Sequence, residues 1–588
     1  MEATRLFDIL DRYKEINPNQ KVALSCKREG QWINYSLDDY ITKTNYISAG
    51  LLSIGVKKGD RIAIISSSRP EYNMIDMGIM QIGAITVPIY PTISEADYNH
   101  ILNHAEISYV FSEGEELLRK IESILPTVPS IKGIYTFKDR GRHKYLAELL
   151  ELGEAQYESK KAEIEKIKAS IGEDDTACII YTSGTTGLPK GVMISHKNIM
   201  MQVKETSKIP ADWSDTAFSF LPLCHAYEKL MVYMYQYRGM SIYYAESLGT
   251  IIENIKEVNP TIMTCVPRVL EKIYDKIFSA GKKLPYAKRQ IYFWAIKLAL
   301  NYRKDLNPAS ARLYKIADKF VYSKWREAIG GHFDTIVSGG AALQPRLAAF
   351  FTAIGMPIFE GYGLTETSPV IAVSTKEPDG LAFGTVGKPL RGVEVKIDPE
   401  TNEIICRGDN VMKGYYKAPD LTAQVIDKDG WFHTGDTGRF TEAGQLVVTG
   451  RLKGIFKTSM GKYINPFVIE EKFSQSPFID NIMVVGENQK FAAAIISPSF
   501  HFLKSWCKSH KVPYTSDSAI IEDERVKARI NEEIKKYNQA LGETEKIKRI
   551  TLVPEEWTVK NKLLTPTLKV KRPKIMEKYN EEIEKMFQ

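Results

Sequence analysis

Long apolar runs are missing from this chain of 588 residues. No uninterrupted stretch approaches the roughly 18 apolar residues that a membrane-spanning helix needs, so none is expected. The opening MEATRLFDILDRYKEINPNQ carries acids early and has no apolar core, so no secretory signal is expected. Cysteine is also scarce. The six (Cys26, Cys178, Cys224, Cys265, Cys406 and Cys507) are scattered with no CxxC pair, which excludes a disulfide framework and a cysteine zinc site and fits a reducing cytoplasm. An excess of one charge sign is lacking too: 79 basic against 72 acidic residues leave +7, which lends nucleic-acid binding no support. Neither an internal repeat nor a low-complexity tract is present. An apolar content of 44% remains ample for a large core.

Against that ordinary background, YTSGTTGLPKG (181–191) stands out. The apolar run Ala177–Tyr181 reads as a buried strand, and Gly184 and Gly187 free the backbone to turn its amides toward an anion. Ser183, Thr185 and Thr186 add donors, Lys190 adds a mobile positive charge, and Gly191–Ser195 reads as a second strand. The alternative is a solvated loop between strands. The usual P-loop is excluded, because it places Ser or Thr after the lysine to meet magnesium, and Gly191 stands there.

The first 170 residues or so alternate apolar runs (61–68, 84–92 and 108–113) with helical patterns, as in a wound α/β sheet. A charged helix over 155–170 reads as a spacer before the loop. The segment 282–326 carries twelve lysines and arginines against Asp305 and Asp318, interleaved with Tyr292, Phe293 and Trp294. It reads either as helices with a solvated basic face or as a surface for an anionic membrane. A boundary falls at Arg451–Gly454, after the strand-like 445–450; beyond it lies a smaller α+β piece with strands at 481–486 and 492–497.

Three further stretches join the loop: SGGAAL (338–343), GYGLTET (361–367) and WFHTGDTG (431–438), followed by LTPTLKVKRP (564–573) near the end. Together they resemble the signatures of the adenylate-forming enzymes, the superfamily of acyl-CoA synthetases, peptide-synthetase adenylation domains and firefly luciferase. The resemblance runs from Arg61 to Lys574. It implies an α/β fold with a large N-terminal domain of several subdomains (1–452) and a small mobile α+β C-terminal domain (453–588). It also implies a nucleotide site comprising Thr182, Ser183, Gly184, Thr185, Thr186, Lys190, Gly339, Gly340, Ala341, Glu360, Gly361, Tyr362, Gly363, Asp436 and Arg451.

By the same resemblance, Tyr362 stacks on adenine, Thr365 bonds the α-phosphate, Glu366 holds Mg2+, and Asp436 and Arg451 bind ribose. Lys569 is the catalytic lysine reaching the carboxylate and α-phosphate, and Lys453 is the hinge. An aromatic face suits a purine, a hydroxyl a phosphate oxygen, and a carboxylate a hard cation. Each has a plainer reading: Asp436 as a turn residue, Lys453 as an exposed lysine, Lys569 as part of a solvated basic tail. Leu568 stands where many members have glycine before that lysine, and Met460 where glycine is frequent in KTSMGKYINP (457–466), the stretch that resembles the pantetheine tunnel with Gly461 at its narrow point.

LPLCHAYEKL (221–230) resembles the motif whose histidine, His225, borders the acyl pocket; a satisfied core histidine is the alternative. Where some bacterial long-chain members have a tryptophan gate, Lys229 stands. VPRVLEKIYDKI (266–277), the basic segment and the ending resemble the long-chain fatty acyl-CoA synthetases. The expectation is therefore ATP-dependent conversion of a fatty acid to acyl-AMP and then to acyl-CoA, with ATP, Mg2+ and coenzyme A as cofactors and co-substrates. Transfer to an acyl-carrier protein and a catalytically silent nucleotide-binding protein are the alternatives. Peripheral contact with the inner face of the membrane through 282–326 is left open.

Overall fold

A computed structural model describes residues 2–182, 188–247, 249–303, 307–330, 332–460, 462–565 and 569–588. The chain forms two compact units. The first comprises Met1–Lys396, Ile405–His433 and Phe440–Leu446; the second comprises Ile397–Ile404, Thr434–Arg439 and Val447–Gln588. The second thus takes in two short stretches upstream of the Arg451–Gly454 boundary.

Two large sheets make up the first unit. One runs in the order Lys388–Pro389, Val370–Val373, Ile358–Gly363, Thr335–Ser338, Ile262–Cys265, Thr216–Ser219, Ser241–Tyr244, Leu24–Arg28 and Gln31–Tyr35. Its six strands from Ile358–Gly363 to Leu24–Arg28 are parallel, and antiparallel strands finish both edges. The other runs Gly414–Tyr415, Lys190–Ser195, Thr176–Thr182, Ile85–Pro88, Arg61–Ile65, Ile107–Ser112, Gly133–Thr136 and Lys144–Tyr145. The central strands read as unbroken apolar runs because helices cover both faces. Thus Ile62, Ala63, Ile64 and Ile65 are all buried, with alternate residues feeding two different core clusters.

The helix expected over 155–170 begins earlier, at Leu146, and ends at Ala169. Its first half is more than a spacer. It packs on the Leu37–Ser53 helix so closely that a Cβ on Gly153 would lie 1.8 Å from the Tyr46 carbonyl oxygen, and one on Gly50 2.6 Å from that of Leu149. Helix–helix approach at that distance requires glycine on both partners.

The basic segment folds as helices Tyr286–Leu300, Pro308–Ala317 and Ser323–Ile329, following Pro267–Lys282. Its inner face is well made. Ala295, Ile296, Ala299, Ala317 and Tyr322 are buried, and the hydroxyls of Tyr292, Tyr314 and Tyr322 donate to the carbonyls of Ile277, Leu298 and Ala295 at 2.7–2.9 Å. The outer face is not purely polar. Tyr286, Ile291, Trp294, Leu313, Ile316 and Phe320 are exposed, six of the thirteen large exposed hydrophobics among the described residues.

In the second unit, strands Ile479–Val485, Ala492–Pro498 and Ile547–Leu552 form a sheet. Side-chain alternation splits its core: Val484, Ala494 and Ile496 pack on one face, and Met483, Val485, Ala493 and Ile495 on the other.

Candidate active site

Four parallel neighbours of the first sheet end at one edge, with Cys265, Ser338 and Glu360 at equivalent register. LPLCHAY follows strand Thr216–Ser219, SGGAAL follows Thr335–Ser338, and Gly361–Gly363 ends Ile358–Gly363. Open α/β sheets bind ligands outside these carboxyl ends. Gly339 is buried there, and a Cβ on it would stand 3.2 Å from the Tyr227 ring, whose hydroxyl donates to the Val337 carbonyl at 2.9 Å. Gly340 adopts φ +79°, the left-handed region that glycine tolerates, and Ala341 beside it is exposed.

The GYGLTET motif is a strand end, a bulge and a short turn. Gly361 and Tyr362 pair with Val373 and Ala372, and the register shifts at Tyr362/Gly363. A Cβ on Gly363 would lie 1.7 Å from the Pro369 carbonyl oxygen, so no other residue fits. Thr365–Thr367 then forms a 3-10 turn that presents Thr365 and Glu366 half-buried. Three bonds pin it: Thr367 Oγ1 accepts from the Leu364 amide (2.9 Å), Gln202 Nε2 donates to the Thr367 carbonyl (2.6 Å), and the Met412 amide donates to that of Glu366 (2.9 Å).

The hairpin Thr176–Thr182/Lys190–Ser195 pairs Thr182 with Lys190. Ser183, Gly184, Thr185 and Thr186 between them lie outside the described residues, as does Gly461. Lys190 has no carboxylate partner among the described residues. Its ammonium stands 5.2 Å from the centroid of the Tyr415 ring, and the Tyr415 hydroxyl donates to Glu366 Oε1 at 2.9 Å. Lys190 and Glu366, far apart in sequence, therefore meet through a residue that belongs to none of the motifs above. Behind the hairpin, His104 Nδ1 bonds the Tyr181 hydroxyl (2.7 Å) and His100 Nε2 the Pro189 carbonyl (3.0 Å). Burial, His100 and Lys417 together push the His104 imidazole below its usual pKa.

His225 is the N-cap of the Ala226–Tyr237 helix: its Nδ1 accepts from the Tyr227 amide at 3.2 Å, and its half-buried ring lies edge-on to Tyr90. That bond leaves Nε2 to carry the proton in the neutral ring. Lys229, one turn on, is buried against Asp76 Oδ2 at 2.5 Å, and its ammonium stands 5.2 Å from the Tyr233 ring centroid and 5.6 Å from that of Tyr72.

In the second unit, Asp436 sits within the strand Phe432–Phe440, 4% exposed, and is therefore no turn residue. Arg451 Nε donates to its Oδ1 at 2.9 Å. Lys453 lies in the Leu452–Gly454 turn. Lys569 closes a turn with Thr565, whose amide donates to the Lys569 carbonyl (2.7 Å) and whose Oγ1 accepts from the Lys569 amide (3.0 Å). Protein crowded around the Lys569 ammonium, and secondarily the Arg451 guanidinium, lower its pKa to about 8 against the pull of Asp436, although the residue as a whole remains exposed.

Among the described residues no three His, Cys, Asp or Glu side chains form a metal cage. A single half-buried carboxylate such as Glu366, with Oε2 free of a protein donor among the described residues, fits an ion such as Mg2+, which commonly takes one or two carboxylates and completes its shell with phosphate oxygens and water.

A wound α/β unit with three loops at strand ends, and a tyrosine that touches both Lys190 and Glu366 beside them, is an architecture that suits a nucleotide-binding enzyme, and the chain belongs to the AMP-binding enzyme family. The family profile matches residues 10–416, and that of its C-terminal domain residues 455–588. The chain is 31% identical to the long-chain-fatty-acid–CoA ligase FadD15 of Mycobacterium bovis, over 95% of this chain and 93% of that one. It is 32% identical to fatty acyl-CoA synthetase A of Dictyostelium discoideum (95% and 86%) and 30% identical to long-chain-fatty-acid–CoA ligase 1 of Homo sapiens (100% and 87%). Its fold matches the adenylation domain of a carboxylate reductase from Mycobacterium chelonae (TM-score 0.75, 19% identity, 99% and 91% covered) and a fatty acyl CoA synthetase of Mycobacterium tuberculosis (0.64, 19%, 98% and 99%).

Proposed function

We propose that the protein is an AMP-forming long-chain fatty acid:CoA ligase. The observation that carries this is the chain-long similarity to ligases of that name, joined to the Lys190–Tyr415–Glu366 cluster at the strand ends. A carboxylate oxygen of the fatty acid attacks the α-phosphorus of ATP, the α–β bond breaks, and pyrophosphate leaves. The thiol of coenzyme A then loses its proton, attacks the acyl carbon and expels AMP.

Lys190, with the donors of 182–186, receives the β- and γ-phosphates. Glu366 would hold Mg2+, which supplies neutralising charge on the polyphosphate. Gly339, Gly340, Ala341, Glu360, Gly361, Tyr362 and Gly363 wall the adenosine, and Thr365 bonds the α-phosphate. Asp436, with Arg451, takes the ribose hydroxyls, and Lys569 stabilises the charge developing at the reacting oxygens. His225 borders the acyl group, Gly461 the pantetheine arm. The C-terminal domain turns about Lys453 between the two half-reactions.

Purified protein given palmitate, ATP and Mg2+ should release AMP when coenzyme A is added; release only with a holo-acyl-carrier protein would overturn the choice of acceptor. No hydroxamate on trapping with hydroxylamine, while ATP still binds, would overturn the enzymatic reading.

Contact with an anionic membrane is part of this reading, with the protein itself in the cytoplasm. Six free, buried cysteines support a reducing compartment, and no helix among the described residues is long and apolar enough to cross a membrane. On helix Pro308–Ala317 and the turn after it, exposed Leu313, Ile316 and Phe320 recur at helical spacing beside exposed Arg312, Lys315 and Lys319. A merely solvated face has no use for that apolar ridge, whereas an interfacial helix has. Wild-type protein should co-sediment with phosphatidylglycerol-containing vesicles and not with pure phosphatidylcholine. The triple change of Leu313, Ile316 and Phe320 to Ser should abolish binding while leaving activity on dissolved octanoate unchanged. Retention of vesicle binding by the triple variant would remove the ridge from the account.

A further inference from the structure

Tyr415 is fixed before any ligand arrives. It lies on a two-residue strand paired antiparallel to Lys190–Ser195, opposite Val192. Its amide donates to Thr422 Oγ1 at 2.9 Å, the next amide donates to the Gly191 carbonyl at 2.7 Å, and the residue is 6% exposed. With backbone and ring both held, its two ends point at two different functional groups: the hydroxyl at Glu366 Oε1, the ring face at the Lys190 ammonium.

From this placement we infer that Tyr415 is the positioning residue of the nucleotide site, coupling the cation-binding carboxylate to the phosphate-binding lysine. The inference rests on the roles given above to Glu366 and Lys190. A hydrogen bond to a carboxylate is charge-assisted and directional, so one oxygen of Glu366 is committed and the carboxylate plane is set, leaving Oε2 for a divalent cation. The ring offers Lys190 an attraction weaker than that of a phosphate. The ammonium is therefore parked near the strand end and released when polyphosphate binds. A carboxylate in the same position would hold Lys190 too tightly and compete with the nucleotide.

The two ends can be separated by substitution. Tyr415→Phe keeps the ring and removes the hydroxyl; Tyr415→Leu removes both. Binding of α,β-methylene-ATP, which cannot break at the reacting bond, is measured by calorimetry at stepped Mg2+. Tyr415→Phe should raise the Mg2+ concentration for half-maximal binding about tenfold while affinity at saturating Mg2+ stays near wild type. Tyr415→Leu should also weaken binding severalfold at saturating Mg2+. Glu366→Gln serves as the reference. If it shifts the Mg2+ requirement and Tyr415→Phe does not, the positioning role is overturned while the site stands. If Glu366→Gln itself leaves the requirement unchanged, the reading of Glu366 falls and the inference with it.

Discussion

Two lysines, one in each unit, show how differently this protein treats a cation. Lys229 is sealed in the first unit with its charge answered by Asp76 and by two tyrosine rings. Lys569 stands on a turn of the second unit beside Arg451, and the carboxylate that favours its charge among the described residues, Asp436, is already bonded to that arginine. A cation fully answered by the protein is structural. One that the protein leaves half-answered, and whose charged form is held at a disadvantage, is available to a ligand.

The largest effect expected from breaking this contrast is on stability. Lys229→Ala leaves buried Asp76 with the Tyr233 hydroxyl on Oδ2 and with an Oδ1 that already lacks a partner among the described residues, and removing one member of a buried pair costs about 3–5 kcal/mol. Urea unfolding of the first unit reads it; a loss below about 1 kcal/mol would show that Lys229 is not the anchor described.

Next comes Lys569→Ala, expected to lower acyl-AMP formation about 10²–10³-fold, as for loss of one preorganised charge donor, while sparing thioester formation from supplied acyl-AMP. Equal loss in both half-reactions would remove the distinction between the two lysines. In the wild type the ammonium is charged below about pH 8 and neutral above it, so adenylation should decline as pH rises through that value, a limb that Lys569→Ala lacks. The accompanying stability change has the opposite sign: above pH 8 the unfolded chain still binds a proton that the folded protein has released, so stability rises with pH there.

The smallest and most diagnostic change concerns Glu228, next to Lys229 on the same helix. It is fully buried and forms no ion pair among the described residues, its neighbour Lys229 being turned to Asp76; burial pushes its carboxyl up to about 7, partly countered by bonds from Ser219 and Thr264. Between pH 4.5 and 7 the folded protein keeps a proton that the unfolded chain gives up, so stability falls as pH rises. Glu228→Gln should abolish that slope, gaining at most about 3 kcal/mol at pH 8 and nothing near pH 4. A gain independent of pH would mean the carboxyl is not the titrating group.

Short-range features were readable without coordinates. The apolar run before the 183–187 loop and the strand expected over 61–68, which ends at Ile65, follow from local pattern, because burial on both faces leaves its mark within a few residues, whereas SGGAAL stood out by resemblance alone. What escaped notice depends on contacts between distant segments. Lys229 could be seen to replace an expected tryptophan, but not to pair with Asp76, 153 residues away. Nothing local marks Tyr415; strand pairing with Val192 brings it to Lys190, and the bond from the Met412 amide to the Glu366 carbonyl brings it to Glu366. Asp436 had a turn residue as its plainer reading beside the ribose role, and its place inside the strand Phe432–Phe440 removes that plainer reading. The apolar ridge on 313–320 was hidden inside a conspicuous charge excess.

Gly363 carries a consequence for ancestry. The Pro369 carbonyl occupies the space of its missing side chain, so the demand for glycine there comes from the backbone path and not from the reaction. A descendant that lost the proposed chemistry but kept the fold would be free to shed Glu366 or Lys190 and would still need Gly363. Among such descendants the glycine records architecture, and only the charged residues record whether the chemistry survives.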